Sequence, residues 1–309
     1  MKRALIALAV ISTLPAVAWA DSPNVSGFAD ITYNKDSKLS LFKANAEVDV
    51  KAKTGDHTSV RLDTDLALAG NGGVNAGVDG PKDSAAIEQA YFAFTGIEKL
   101  TVIGGVFNNP IGWEGQDAPD LFQASHGQIY GILDGQTALY GNNIAGVALA
   151  GAVGPVTLTG AVLNDLGHSD LEKNSFAIVA NLEAMKGLDF ELGYVTQDNA
   201  KKTNAGNVLD VNATYKIQGF TVGAEFLTAD KIVDTAMGVT ANYRYNDKFG
   251  ATIRFDNVSF EAAGAKDSTG ITVAGSYSLD KNLDVRAEYK QVDAGSTDKS
   301  GVLQFVAKF

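Results

Sequence analysis

The most constraining feature of the sequence is the strict alternation in its last stretch, Leu283–Phe309. From residue 283 to residue 290, Leu, Val, Ala and Tyr alternate with Asp, Arg, Glu and Lys. Side chains of a β-strand point alternately to its two faces, so this stretch has one apolar face and one fully charged face. Such a strand fits between hydrocarbon and water.

The same alternation recurs along the chain, and many of the apolar faces contain no charged residue. A soluble β-sandwich also alternates, but lipid excludes charge more strictly, because Arg or Lys at mid-depth costs about 2–4 kcal/mol. Aromatic residues collect at strand ends, as interface girdles require. Open sheet edges would leave backbone groups unpaired in hydrocarbon. The sequence therefore predicts an all-β fold, a transmembrane antiparallel up-and-down β-barrel of about sixteen strands.

The first twenty residues read as an export signal. Lys2 and Arg3 precede an apolar run, and Ala18-Trp19-Ala20 provides a small-x-small cleavage site. The alternative is a membrane anchor, but the run is short and is interrupted by Pro15. We predict a signal peptide at 1–20 and the barrel at 21–309, which places the protein in the bacterial outer membrane.

Composition excludes several classes of function. The formal net charge is −11, and removal of Lys2 and Arg3 with the signal takes it to −13, so nucleic acid is an unsuitable partner. The chain has no cysteine, which rules out disulfides and thiolate metal sites. His57, His126 and His168 lie in different connections, so we predict neither a metal site nor a cofactor.

The connections alternate between short turns and long loops, as in bacterial barrels with both termini on the periplasmic side. The longest interruption spans about 108–135 and falls in the third extracellular loop. Long loops in compact architectures are usually functional. Residues Gln136–Val153 are predicted to return as one long or bent strand.

The inward faces contain all four arginines of the chain after the signal, and the third loop contains acids but no Lys or Arg. We interpret these groups as lining a pore or its constriction, together with one inward aspartate. The arginines could instead pair with inward acids as lumen salt bridges, and the loop acids could be solvated on the outer surface. The predicted pore residues are Arg61, Asp63, Arg244, Arg254, Arg286, Glu114, Asp117, Asp120 and Asp134.

Two motifs resemble a known family. Glu88-Gln89-Ala90-Tyr91, followed by the segment from Gly105 to Glu114 (GVFNNPIGWE), resembles the OmpL-like β-barrel porins over roughly residues 86–165. The strand count and the long third loop also resemble the general diffusion porins. The resemblance implies a third loop folded into the channel, loop acids facing wall arginines across a constriction, and three associated barrels. The terminal Phe309 is similar to the signal that the outer-membrane assembly machinery reads.

We therefore predict a porin that lets small hydrophilic solutes or ions diffuse passively through a water-filled barrel, with a mild preference for cations. The expected partners are outer-membrane lipid, the solutes, the assembly machinery and two further copies in a homotrimer. Small residues (Ala44, Ala46, Ala52 and the run Gly146–Ala152) offer patches for close barrel packing. The alternative is a non-conducting barrel that acts as an adhesin or structural anchor. Ser125-His126 alone does not indicate a hydrolase, so we predict no enzyme; an outer-membrane lipase that uses these two residues is a third alternative.

Overall fold

The computed structural model describes residues 22–67, 84–137, 142–166, 173–197, 206–261 and 264–309. Sixteen antiparallel strands form one closed barrel, and β1 pairs with β16 to seal it. The predicted fold and strand count are confirmed. The strands are β1 (Asn24–Lys35), β2 (Ser40–Lys53), β3 (Thr58–Ala67), β4 (Ser84–Ile97), β5 (Leu100–Asn108), β6 (Asn143–Val153), β7 (Val156–Asn164), β8 (Asn174–Met185), β9 (Leu188–Thr196), β10 (Val208–Ile217), β11 (Phe220–Ala229), β12 (Val233–Arg244), β13 (Phe249–Phe260), β14 (Ser268–Asp280), β15 (Leu283–Asp293) and β16 (Thr297–Lys308).

The alternation in the sequence sets which side chains point outward. In the last hairpin, Tyr289 and Phe305 are exposed on the outer face, whereas Arg286 and Glu288 are buried on the inner face. Every strand except β5 likewise presents at least one large, exposed apolar side chain to the outside. No helix among the described residues is long and apolar enough to cross a bilayer.

Aromatic pairs lie on neighbouring strands near the barrel ends. The ring centroids of Tyr33 and Phe42 are 4.9 Å apart at the loop end. At the turn end, Phe220 and Tyr243 stack at 4.2 Å. Rings with an apolar body and a polar tip are suited to the membrane interface, so these pairs lie where the predicted girdles require them.

Two-residue turns join strands at one end of the barrel. Gln218 and Gly219 connect β10 to β11 with φ angles of 46° and 83°. Positive φ at both central residues is the geometry of a type I′ turn, which matches the twist of a hairpin. At the other end the connections are longer. Residues 70–83 of the predicted second loop, and His168, lie outside the described residues.

The connection between β5 and β6 spans residues 109–142, and its described segment 109–137 folds into the barrel; we call this segment the inserted loop. It contains a 3₁₀ turn, Ala118–Asp120, and an α-helix, α1 (Gln128–Thr137). The prediction of one strand over Gln136–Val153 is therefore wrong at its start, because β6 begins only at Asn143. The helix is stabilised by Ile129 and Leu133, which lie one turn apart and are both buried.

The inserted loop divides the interior of the barrel into two parts. One part has a hydrophobic core, in which Ile129 and Leu133 of the loop pack against inward apolar residues of the wall such as Leu163 and Val179. We call the inner wall of β5–β15 the covered sector, because the loop lies against it. The inner wall of β16 and β1–β4 is the open sector, which borders a large cavity.

Candidate functional site

Trp113 fastens the inserted loop to the wall of the covered sector. Its backbone N–H donates to Glu225 Oε1 at 2.8 Å, and its indole N–H donates to Thr214 Oγ1 at 2.7 Å. Thr214 lies on β10 and Glu225 on β11. Trp113 is therefore held by one hydrogen bond from its ring and one from its backbone, to two neighbouring strands of the wall.

Two glycines in the wall make room for the start of the loop. A Cβ atom at Gly223 would collide with Cζ2 of Trp113, and one at Gly193 would collide with Cγ2 of Ile111. Both positions exclude a side chain, because protein interiors are already close-packed. Gly193 and Gly223 thus form two sockets that accept Ile111 and Trp113.

Arg254 of β13 holds the middle of the loop. Its guanidinium donates to the carbonyl oxygens of Ser125 and His126, both at 2.8 Å, and lies 3.3 Å from Glu114 Oε1. On the wall side it donates to Asp256 Oδ2 at 3.1 Å. Arginine suits this role because its planar fork can bind several acceptors at once.

Glu114 is the partner of Arg254 within the loop, and its carboxylate is almost fully buried. Oε1 accepts from Gln123 Nε2 at 2.8 Å, and Oε2 accepts from the Gly127 N–H at 2.6 Å. Burial opposes ionisation, but the neighbouring His126 and the charge of Arg254 outweigh it and lower the pKa of Glu114. The charged carboxylate therefore organises the loop around itself.

Two charged side chains of β15 bind the loop backbone. Arg286 Nη1 donates to the Ala118 carbonyl oxygen at 2.6 Å. Glu288 Oε2 accepts from the backbone N–H groups of Ala124 and Ser125 at 2.8 and 3.0 Å. These bonds satisfy loop backbone groups that would otherwise be buried without partners.

The other two arginines lie elsewhere. Arg61 on β3 donates to Asp63 Oδ1 at 2.8 Å and lies 3.4 Å from Asp49 Oδ1. Arg244 lies at the turn end, where it is exposed and donates to the Asp247 carbonyl oxygen at 2.9 Å. The four predicted arginines therefore do not form one group along the wall. Two hold the loop, one pairs with wall acids, and one lies at the rim of the barrel.

The loop acids also separate into different places. Asp117 and Asp134 border the cavity of the open sector. Asp120 ends the 3₁₀ turn and borders smaller spaces near β9 and β10. Glu114 lies in the loop itself and forms an ion pair with Arg254 of the wall. The expectation of loop acids facing wall arginines across an open gap is not what the geometry presents, because Arg254 and Arg286 contact the loop directly.

The cavity of the open sector has a volume of about 840 Å³ and is lined on one side by the barrel wall and on the other by the inserted loop. Two further spaces, one between the inserted loop and β8–β10 and one between the loop and β3–β9, have volumes of only about 70 and 100 Å³. Among the described residues that line the large cavity, one lysine, Lys43, opposes six carboxylates. These six are Asp30, Glu47, Asp65, Glu88, Asp117 and Asp134.

Sequence reasoning missed four of these six acids. Asp30, Glu47 and Asp65 share the inward phase of the alternation, so the signal that identified Arg61 was also present for them. Glu88 belongs to the motif that carried the family resemblance, yet its position on the inner wall was not considered. The alternation of the sequence does not show which inward residues still line the cavity once the inserted loop occupies the barrel.

Tyr130 of α1 also borders this cavity and stacks on His126, with ring centroids 3.7 Å apart. Burial, and then the nearby charges of Asp134 and Glu88, raise the pKa of Tyr130, so its hydroxyl stays neutral. Ser125 Oγ lies 3.4 Å from Arg254 Nη2. His126 thus has a structural partner in the loop, and Ser125 has one on the wall.

Carboxylates are the groups here that could hold a metal ion. Among the described residues, two sets have oxygens that all lie within 4.8 Å of one another: Glu47 with Glu88 and Asp117, and Glu47 with Asp49 and Asp63. In the second set, Arg61 already contacts both aspartates. The first set borders the large cavity.

Residues 4–297 match the model of a family described as Gram-negative porin. No curated protein matches the chain. Among solved structures, Pseudomonas putida OprB at high pH has a TM-score of 0.66 at 12% identity, covering 93% of this chain and 94% of that one. The trimer form of Vibrio cholerae OmpT has a TM-score of 0.62 at 13% identity, covering 93% and 99%. A mutant Rh. blastica porin has a TM-score of 0.61 at 13% identity, covering 93% and 100%.

Proposed function

The chain belongs to the Gram-negative porin family, and from this premise we propose that cations and small hydrophilic solutes cross it along the open sector. A porin is an outer-membrane diffusion channel and not an enzyme. The single observation that supports this path is the cavity of about 840 Å³, in which six carboxylates oppose one lysine. A pore lined by one sign of charge concentrates ions of the opposite sign.

The covered sector is unsuitable as a path. Its centre is a hydrophobic core that includes Ile129, Leu133 and Val179, and such a core excludes ions because desolvation is costly. The wall also holds the loop through Arg254, Arg286 and Glu288. We therefore assign Arg254, Arg286 and Glu114 a positioning role, in which they keep the loop away from the open sector.

Asp117 and Asp134 are the loop residues that we assign to the constriction, opposite wall acids. Arg61 and Asp63 are assigned to its flank. We further propose that the chain belongs to the narrower OmpL-like group. Two parts of the motif support this proposal: Glu88 borders the large cavity, and Trp113 with Glu114 fastens the loop to the wall.

Ion selectivity in planar bilayers tests the proposed path. Under a KCl gradient we expect the reversal potential to report a preference for potassium over chloride. The double variant Asp117→Asn, Asp134→Asn should lower the permeability ratio about twofold or more, since it removes two charges beside the path. Asp120→Asn removes one charge from the same loop but not from the cavity, and it should change the ratio less. An anion preference in the unaltered protein would overturn the proposal.

We also propose that the barrel forms a homotrimer, which is the form of the Vibrio cholerae OmpT structure that it resembles. Ala44, Ala46 and Ala52 of β2 share the outward phase of Phe42 and support close packing between barrels. The run Gly146–Ala152 supports it less, because two of its exposed members, Val147 and Leu149, are large. The mass of the protein–detergent complex, corrected for bound detergent, distinguishes a trimer from a monomer.

The export and assembly signals remain proposals. Phe309 is exposed on the outer face beside Gly27, where its backbone pairs with the start of β1. An exposed aromatic terminus is accessible to an assembly factor before the barrel closes. Deletion of Phe309 should lower the amount of folded barrel in the outer membrane, and N-terminal sequencing of that barrel should begin at Asp21.

A further inference from the structure

Three carboxylates from three separate parts of the chain converge beside the large cavity. Glu47 lies on β2, Glu88 on β4 and Asp117 at the start of the 3₁₀ turn in the inserted loop. One carboxylate oxygen of each lies within 4.8 Å of those of the other two. Oxygens that bind one calcium ion at 2.3–2.6 Å cannot be more than about twice that distance apart, so the spacing fits a single shared ion.

The surroundings of Glu88 provide a second and independent observation. Its side chain is buried, with 2% of its surface exposed. Oε1 accepts from Asn143 Nδ2 at 3.3 Å, whereas Oε2 is buried and has no hydrogen-bond partner among the described residues. A buried carboxylate oxygen without a donor is costly. A bound cation would supply the missing partner.

The two carboxylate sets differ in their basic neighbours. Glu47 also belongs to the second set, with Asp49 and Asp63, and there Arg61 lies 3.4 Å from Asp49 and makes a close ion pair with Asp63. Beside the first set, the described residues that line the cavity include one lysine, Lys43, and six carboxylates. Three converging carboxylates can all be ionised only if a cation lies between them, and without a cation one or more of them holds a proton.

We propose that Glu47, Glu88 and Asp117 bind a hard divalent cation of the calcium or magnesium class. The ligands are all carboxylate oxygens, the donor type that these ions prefer, and the set contains no nitrogen or sulfur donor to favour a transition metal. The neighbouring cavity of about 840 Å³ can supply water molecules to complete the coordination shell. This inference rests on the proposed function, because it places the ion beside the proposed solute path.

Occupancy would have two consequences for the channel. The ion would link the inserted loop, through Asp117, to the open-sector strands β2 and β4, which the loop otherwise faces across the cavity. It would also cancel two of the negative charges that make the path attractive to cations. Calcium should therefore reduce both the conductance for potassium and the preference for potassium over chloride.

Titration calorimetry on the folded protein in detergent tests binding without reference to conductance. The protein is refolded without lipopolysaccharide, which itself binds calcium, and is treated with a chelator. Calcium chloride should then bind saturably, with one ion per chain. Glu88→Gln keeps the side-chain size but removes the charge, and it should weaken calcium binding by about tenfold or more, as should Asp117→Asn. Asp134→Asn removes one charge from the same cavity but no ligand, so its calcium affinity should stay within about threefold.

Electrical recordings complete the test and keep the two proposals separable. Millimolar calcium should lower the potassium preference of the unaltered channel and of Asp134→Asn, but not that of Glu88→Gln. Absence of saturable calcium heat in a channel that still prefers potassium would overturn the metal site alone. Equal calcium affinity in Glu88→Gln and Asp134→Asn would also overturn it. Saturable binding in a channel that prefers chloride would instead overturn the proposed function.

Discussion

The two sectors of the barrel interior are built from the same alternating strands but have opposite properties. In the covered sector, Val179 and Leu163 point inward and pack against Ile129 and Leu133 of the inserted loop. In the open sector, the equivalent inward positions of β1 and β2 are occupied by acids such as Asp30 and Glu47. The alternation therefore specifies the barrel, whereas the identity of the inward residues decides where the loop lies and where water remains.

The covered sector combines two kinds of attachment. Burial of each Leu or Ile side chain in its apolar contacts contributes about 1.5–3 kcal/mol to stability. Its charged contacts, from Arg254, Arg286 and Glu288, bind chiefly to backbone groups of the loop. The apolar contacts supply affinity, and the charged contacts fix the register of the loop on the wall. The cavity of the open sector is lined by six carboxylates and one lysine, so it attracts an acidic loop less.

The largest effect is expected when the charged attachment is broken. Arg254→Met leaves Glu114 and Asp256 buried without their cation, and breaking a buried pair in this way costs about 3–5 kcal/mol. The free energy of unfolding in urea should fall, and the single-channel conductance should rise as the loop leaves the wall. Arg244→Met serves as the control, because Arg244 is exposed and its removal should cost about 0–1 kcal/mol. Equal behaviour of the two variants would show that Arg254 does not hold the loop.

The next largest effect concerns the apolar attachment. Leu133→Ala creates a cavity between α1 and the wall and should lower the free energy of unfolding by about 2–5 kcal/mol. Leu149→Ala removes the same atoms from an outward position, where lipid or detergent fills the space, so its effect should be smaller. Open-channel current noise should increase in Leu133→Ala only. A larger loss of stability in Leu149→Ala would contradict the assignment of an internal core.

A smaller effect tests the glycine socket. A methyl group at Gly223 collides with the Trp113 ring, and overpacking of this kind costs about 1–3 kcal/mol. Trp113 and Trp19 are the two tryptophans of the sequence, so fluorescence of a barrel produced without residues 1–20 reports Trp113 alone. Gly223→Ala should shift that emission to longer wavelength. Gly275→Ala is the matched control, since its methyl group would meet no atom within 4 Å. Unchanged emission in Gly223→Ala would mean that the ring does not occupy the socket.

The smallest effect is the pH dependence of the loop. The pKa of Glu114 is lowered in the folded loop, so its contribution to stability is present above the ordinary glutamate pKa of about 4.3. That contribution is lost as the pH falls through the lowered pKa, because the folded loop must then bind a proton. Trp113 emission should therefore shift on acidification below about pH 4. Glu114→Gln should lack this component, and an identical acid transition in both proteins would rule out Glu114 as its source.

Much of the fold could be predicted because one physical rule governs it. A strand between lipid and water must alternate, so Leu283–Phe309 and its counterparts could be assigned to a barrel with the correct number of strands and outward faces. The helix α1 was not predicted, because it lies in a loop. Its two buried apolar residues, Ile129 and Leu133, are too few to give a helical pattern that differs clearly from the neighbouring β-forming residues. Tertiary contacts with the wall, and not local propensity, stabilise it.

The functional residues were harder to predict, because their roles depend on contacts between distant segments. Arg254 and Arg286 could be assigned to the inner face by parity, but their partners are backbone atoms of a loop more than a hundred residues earlier in the chain. Glu47 follows the same alternation, but nothing in the sequence distinguishes it from the other inward acids, and the strand that contains Glu88 is apolar on both faces over residues 90–94. Inward position can be derived from alternation, whereas exposure to the solute path requires knowing which sector the loop covers.

Because the chain contains no cysteine, single thiols can be introduced to locate the solute path. Thr32→Cys introduces one thiol in the open sector, and Thr240→Cys introduces one on the buried inner face of β12 in the covered sector. A positively charged, membrane-impermeant thiol reagent is then added to single channels in a planar bilayer. Solute passage through the open sector predicts a stepwise fall in current for Thr32→Cys and no change for Thr240→Cys. Modification and block at Thr240→Cys, with Thr32→Cys unaffected, would contradict the account.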